Sequence, residues 1–313
     1  MSKAPQTILS FAQFTEWALY DPSIGYYRQP KTRVGKSTRS DFYTSLALGP
    51  LFGELLIESM LTLLGPKIDP KQVTLLEIGA EPAMTAFSEH PFAAHYCIGY
   101  TTAWPEIKTP YQIRFSNELL DAQPFERIRF IENRWHLCGV NCGNQPYQEV
   151  LLPDPIPEYW SKRLPQEAQE GYTIDLPTGA QTLTEHLSAP NWQGLMLMID
   201  YGLRWETLSH ERPEGTARGY KEHQRVPHFL EHPAGSCDIT HHIAWDLLQE
   251  QLQSNGFAVE SIQSQESFLM HHAPKRIAKI FAEPSSARQT LQALLHPAHF
   301  GHKFQVLHAK RID

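Results

Sequence analysis

The chain has 313 residues, 41% hydrophobic and 19% charged, with a net charge of −7 at pH 7 and a pI of about 6.1. This composition builds a globular protein with a sizeable core, and the acidic balance argues against a basic groove for nucleic acid. The length suits one large domain or a main domain with a smaller one appended, and four cysteines (Cys97, Cys138, Cys142 and Cys237) do not make a disulfide scaffold in a chain of this size.

The opening, MSKAPQTILSFAQF, lacks the long apolar core of a signal peptide, and no run approaches transmembrane length. A cytoplasmic location without membrane insertion is the expectation. Ser10 and Gln13 form a capping-box pattern, which predicts a helix through Phe11, Phe14, Trp17 and Ala18 that Asp21, Pro22 and Gly25 end. Arg33 to Ser45, RVGKSTRSDFYTS, is polar and reads as an exposed loop. Gly49 and Pro50 open a second helix, LFGELLIESMLTLL, apolar along one face. These elements make an expected N-terminal helical segment, residues 1–70, packed on a main domain over 71–313.

From Val73 short apolar strands alternate with other segments: VTLLEIG, HYCIGY and QIRFSNELLDA, which begins as a strand and runs into a polar end. RIRFIENRWHLCGV reads as a hairpin with Glu132 and Asn133 in its turn. An insertion near 126–190 is expected, its Pro-, Glu- and Gln-rich part from Pro153 to about Leu183 partly helical and covering one end of the sheet. GLMLMIDYG is apolar on both faces, as buried parallel strands are. HHIAWDLLQEQLQSNG predicts a helix after Thr240, followed by the strand FAVESIQ, and KFQVLHAKR is the closing strand.

Alternation of strands and helices predicts an α/β fold with a mostly parallel sheet, and such sheets bind ligands at the carboxyl ends of their strands. Three strand ends carry polar groups: Glu77 with Gly79, Asn117 with Glu118, and Asp200 with Tyr201. LLEIGAEPAMTAF begins like the first strand and cofactor turn of a nucleotide site, with Glu77, Gly79, Ala80 and Glu81 as candidate cofactor contacts. The histidines give no metal motif: His241–His242 and His271–His272 are adjacent pairs, expected to point apart on helices, and no HExxH occurs. No metal is therefore expected.

Several blocks resemble the MidA-like S-adenosylmethionine-dependent methyltransferases, which include the mitochondrial complex I assembly methyltransferase. They are FAQFTEWALYDPSIGYY, SDFYTSLALGPLFGELL, SNELLDAQPF, MIDYG, GTARGYKEH and HPAGSCDITHHIAW, in one order over most of the chain. The resemblance implies a class I methyltransferase (Rossmann-like) doubly wound sheet whose last strand, KFQVLHAKR, is antiparallel, and S-adenosyl-L-methionine as cofactor. It also implies a protein substrate, an arginine on a respiratory complex subunit. A carboxylate that holds a guanidinium in two parallel bonds suits that chemistry. Glu118 is the first candidate for this catalytic role, with Asp121 and Asp200 next; a helix cap or first-turn acid is an equally good account of Asp121. Asn117 can bond cofactor or substrate. Asp41, Thr44 and Ser45 in SDFYTS are candidates for the cofactor's amino-acid part, or plain turn chemistry. Arg218 and His223 are candidates for contacts near the substrate, with a solvated turn the better account of His223.

The sequence also departs from the family. Glu81 and Ala83 stand where the turn has its second and third glycines, and Pro82 lacks a backbone donor. HYCIGY ends in Gly99, Tyr100 and Thr101, where a typical class I enzyme has an acid for the cofactor ribose. Two readings follow. One is an active protein methyltransferase with a remodelled cofactor turn; the other is a degenerate member that serves as an assembly or scaffold factor.

Overall fold

The structure is a computed structural model and describes residues 6–29, 49–80, 85–222, 224–226, 228–282, 287–296 and 301–312. In chain order they form β1 (Ile8–Ser10), α1 (Phe11–Tyr20), α2 (Pro50–Leu64), β2 (Val73–Ile78), β3 (Ala94–Ile98), β4 (Tyr111–Asn117), β5 (Glu126–Ile131), β6 (Arg134–Asn141) and β7 (Gln148–Leu151). Next come α3 (Glu158–Ser161), β8 (Thr173–Leu176), α4 (Thr178–Ser188), β9 (Gln193–Asp200), β10 (Gly202–Leu203), α5 (Trp205–His210), β11 (Arg218–Lys221), β12 (Gln224–Val226), β13 (Asp238–Thr240) and β14 (Ile243–Ala244). The remainder is α6 (Trp245–Ser254), β15 (Ala258–Val259), β16 (Gln263–Ser264), α7 (Gln265–His272), α8 (Pro274–Ala282), α9 (Ala287–Leu295) and β17 (Gln305–Arg311). Among the described residues no helix is long and apolar enough to cross a membrane.

Two compact units share the chain. One holds α1, Leu120–Leu183 and Gly202–Leu247; the other holds α2 to Leu119, Thr184–Tyr201 and the chain from Leu248 onward.

The second unit is built on a seven-stranded sheet in the order β15-β17-β9-β4-β2-β3, with β16 also on β17. β3, β2, β4 and β9 are parallel; β17 returns antiparallel to β9 along Gln305–Arg311. This is the mostly parallel α/β sheet that the alternation predicts, with the doubly wound order and reversed last strand that the resemblance implies. β2 is buried at every position and β9 at all but its first, as their unbroken apolar runs require. Ile113, Phe115, Leu195, Leu197 and Ile199 on one face pack with α2 and with Phe268, Leu269, Ile277, Ile280, Leu291 and Leu294 from α7, α8 and α9. Each such aliphatic side chain contributes ~1.5–3 kcal/mol on burial. Arg114 falls between Ile113 and Phe115, so strand alternation puts it on the opposite face. There it lies between the rings of Trp104 and Trp192 at 5.0 and 4.1 Å and donates to the Leu187 carbonyl of α4 at 2.7 Å.

Pro50 starts α2 where the missing N–H costs nothing, and Gly65 at φ +80° ends it. Glu58 of α2 accepts the N–H groups of Lys275 and Arg276 at 2.9 and 2.7 Å, capping the first turn of α8. The sequence reading assigned no structure between Gln265 and Leu295. The helices α7, α8 and α9 are short, eight or nine residues each, and leave no periodic run long enough to read.

The first unit carries an antiparallel sheet in the order β1-β6-β5-β8, with β7 on β6, and a smaller sheet β12-β11-β13. The capping box forms as expected: Ser10 Oγ accepts from Gln13 N at 3.3 Å, and Gln13 Oε1 accepts from Ser10 N at 3.0 Å. Glu132 and Asn133 take φ +49° and +61°, the turn that joins β5 to β6. Arg127 of β5 is buried between Asp175 at 2.8 Å and Glu149 at 3.2 Å. Burial alone would raise the Asp175 carboxyl; the Arg127 guanidinium and the N–H groups of Ala217 and Thr216 hold it below its usual value.

Two expectations change here. The helix predicted from His241 begins at Trp245, because His241 N donates to Asp121 O at 2.9 Å and His242 N to Thr216 Oγ1 at 3.0 Å, which holds that segment extended into β14. His241 and His242 are therefore not on a helix. FAVESIQ is not one strand but two short ones, β15 and β16, each antiparallel to β17.

Candidate active site at the strand ends

β2, β4 and β9 are parallel and adjacent, so their carboxyl ends reach one edge of the sheet. Gly79, just past β2, has φ +80°, and its N–H donates to Ile98 O at 2.8 Å. A Cβ at this position would lie 2.7 Å from Leu119 Cδ1. The positive φ of the turn favours glycine, and a Cβ would in addition displace the end of the Leu119 side chain. Ala80 follows it, half-buried.

Asn117 closes β4 and donates from Nδ2 to Glu118 Oε1 at 2.9 Å. Its Oδ1 is buried and has no hydrogen-bond partner among the described residues. Glu118 has φ +52°, a left-handed conformation that costs an ordinary residue about 1–2 kcal/mol. Its N–H donates to Ile199 O at 2.9 Å, which fixes the turn against β9. Asp200, at 1% exposure, accepts from Leu119 N at 3.1 Å on Oδ2 and from Tyr201 N at 2.7 Å on Oδ1. Its carboxylate thus holds the backbone that presents Glu118. Of the candidates from sequence, the structure joins Gly79, Asn117, Glu118 and Asp200 through Leu119. Asp121 belongs to the other unit, buried, its carbonyl engaged by His241 N. Asp41, Thr44, Ser45, Glu81, Ala83 and His223 lie outside the described residues. Arg218 Nη1 is 3.4 Å from His242 Nε2 in the first unit.

Glu77 is 3% exposed and turns toward β3. Its Oε2 accepts from Thr85 Oγ1 at 2.6 Å and lies 3.0 Å from His95 Nε2 and 3.6 Å from Cys97 Sγ. Burial and the neighbouring Glu77 carboxylate push the Cys97 thiol up to about 11. All four cysteines are free. His95, Cys97, Thr85 and Leu119 were not singled out from sequence. Alternation within HYCIG puts His95 and Cys97 on one side of a strand, but only the pairing of β2 with β3 sets Glu77 opposite Cys97. Among the described residues β3 is the last strand at its side of the sheet, and after Ile98 come Gly99, Tyr100 and Thr101 with no carboxylate.

Parallel strands with an antiparallel final strand, and a glycine turn at the carboxyl end of the first, define a class I methyltransferase-like fold. The profile of a family described as "Putative S-adenosyl-L-methionine-dependent methyltransferase" matches residues 57–263, and the chain belongs to this family. A COG1565 superfamily member from Burkholderia thailandensis, bound to S-adenosyl-homocysteine, has a similar structure. Its TM-score is 0.84, with 21% identity over 97% of this chain and 88% of that one. A second COG1565 superfamily structure from the same organism has a TM-score of 0.75 and 22% identity over the same shares. At these identities the likeness is one of fold. No curated protein matches the chain in sequence.

The family's cofactor is S-adenosyl-L-methionine. The residues fit it at the β4 end, where the Asn117 Oδ1 is buried without a partner among the described residues and can accept from a donor of the cofactor. Gly79, Ala80 and Asn117 would hold it, at strand ends where such sheets bind ligands.

Proposed function

We propose that this protein transfers a methyl group from S-adenosyl-L-methionine to a nitrogen of a protein side chain, with arginine the preferred acceptor. The observation that carries the reading is the left-handed backbone of Glu118 at the end of β4, tied to Asp200 through Leu119. Strain of this kind persists where the surroundings over-determine it, and it clusters at functional sites. The cofactor supplies an electrophilic methyl carried on a sulfonium. Glu118 accepts two N–H groups of the guanidinium fork, orients the attacking nitrogen, and takes up the proton that nitrogen loses. Asn117 Nδ2 holds the Glu118 carboxylate, and Asp200 keeps the turn rigid. The fold shared with a protein that holds S-adenosyl-homocysteine supports the cofactor. The acceptor rests on the carboxylate chemistry and on the resemblance in the SNELLDA block.

The test is methyl transfer from labelled cofactor to arginine-rich protein substrates, read by mass spectrometry. Glu118→Gln should lower the rate by roughly 10²–10⁴-fold, the contribution of a positioned acid–base group, while cofactor binding persists. Transfer at an unchanged rate in Glu118→Gln would refute the assignment.

A second reading has its own observation. β3 ends without a carboxylate at the place where a ribose is usually held, and Glu77 is turned to His95. A protein that keeps the fold as a scaffold without turnover would look the same there. It predicts no transfer to any acceptor and weak or no cofactor binding.

A further inference from the structure

We propose that Glu77, His95 and Cys97 form a binding site for a divalent zinc-type cation, on the β2–β3 side of the sheet. The inference is independent of the methyl-transfer reading.

Glu77 and Cys97 are direct partners across the parallel β2–β3 pair, and His95 lies two residues before Cys97 on the same face. One ligand atom from each residue lies within 4.8 Å of the other two. The separations are 3.0 Å for Glu77 Oε2 to His95 Nε2, 3.6 Å for Glu77 Oε2 to Cys97 Sγ, and 3.8 Å for Cys97 Sγ to His95 Nε2. Zinc bonds of ~2.0 Å to oxygen and nitrogen and ~2.3 Å to sulfur give tetrahedral edges of about 3.3–3.6 Å. The three atoms thus already occupy one triangular face of such a tetrahedron, to within about 0.3 Å.

A second observation concerns Glu77 itself. The side chain is 3% exposed, and among the described residues no lysine or arginine pairs with it. Its Oε1 is buried with no hydrogen-bond partner among the described residues. Buried carboxylates are paired or bind metal. The surroundings are also those of a ligand set. Thr85 Oγ1 donates to Glu77 Oε2 and is itself held by Phe87 N–H at 3.0 Å, an outer partner of the kind that orients metal ligands. The His95 ring is fixed edge-on by Phe87 and by His90, each with ring centres 5.6 Å away. A thiolate, an imidazole and a carboxylate suit zinc, with cobalt as its spectroscopic substitute, and do not suit magnesium or calcium. Three protein ligands leave a fourth position for water or another donor. Binding releases the Cys97 thiol proton to solvent.

The test uses the purified full chain, titrated with Zn²⁺ in competition with a chromophoric chelator and separately with Co²⁺ by absorbance. The expected result is one zinc per chain at micromolar affinity or tighter, with a thiolate-to-cobalt charge-transfer band. Cys97→Ser and His95→Ala should each weaken zinc binding at least tenfold, and Cys97→Ser should abolish the cobalt band. Cys97 is exposed, so its variant keeps the fold and decides the matter if His95→Ala does not fold. Cys142→Ser, in the other unit, should bind as the parent does. Absence of stoichiometric binding, or affinity unaltered by Cys97→Ser, would overturn the proposal, as would equal loss in Cys142→Ser.

Discussion

Replacing Glu118 by alanine and by glycine isolates the backbone strain on which the active-site reading rests. Both variants lose the Asn117 Nδ2 to Glu118 Oε1 bond of 2.9 Å, so that loss cancels in the comparison. Alanine keeps a Cβ at φ +52° and with it a cost of about 1–2 kcal/mol. Glycine removes that cost but gives the unfolded chain more freedom, worth roughly 0.5–1 kcal/mol. The difference leaves Glu118→Gly more stable than Glu118→Ala by about 0.5–1 kcal/mol. At an ordinary strand or helix position the order is the reverse. Urea unfolding of the two variants, at equal m values, measures the sign directly. If Glu118→Ala proves the more stable, the left-handed turn is not a strained feature and the reasoning from strain to function fails.

Other sites give independent expectations. Gly79→Ala should destabilise the protein by about 2 kcal/mol through its positive φ and the contact with Leu119, and should weaken cofactor binding; a neutral result in both would remove Gly79 from the site. Asp175→Asn leaves Arg127 buried with Glu149 alone, and chemical denaturation should show a loss of ~3 kcal/mol. A loss under 1 kcal/mol would show that the carboxylate charge at Asp175 is not needed. His308 is 1% exposed, and burial first, then His272 and Lys310, lowers it to about 4 from 6.5. The unfolded chain therefore takes up this proton first. Stability is full above about pH 6.5 and declines as pH falls toward 4. His308→Leu should flatten that decline by on the order of 2 kcal/mol at the acid end, and an unchanged pH profile would contradict it.

The sheet was legible because its strands are long, apolar and separated by turns. VTLLEI and GLMLMID are buried on both faces, and no helix of that composition fits their length. The capping box at Ser10 and the Glu132–Asn133 turn were legible because their chemistry is local. The start of α6 was not, because tertiary hydrogen bonds that His241 N and His242 N donate to Asp121 O and Thr216 Oγ1 decide it. The site divides the same way. Asn117, Glu118 and Asp200 could be picked as polar residues at apolar strand ends, but neither the left-handed turn at Glu118 nor the clamp by Asp200 is written in the spacing. His95 and Cys97 lie 18 and 20 residues from Glu77, so their meeting depends wholly on strand register, which a parallel pair does not announce in sequence.

Cofactor binding is the central claim, and calorimetric titration of the purified protein with S-adenosyl-L-methionine and S-adenosyl-homocysteine tests it most directly. A single site per chain, with affinity in the micromolar range or tighter and weakened in Gly79→Ala, is the predicted result. No heat of binding at millimolar concentrations of either ligand would contradict the account and leave the scaffold reading in its place.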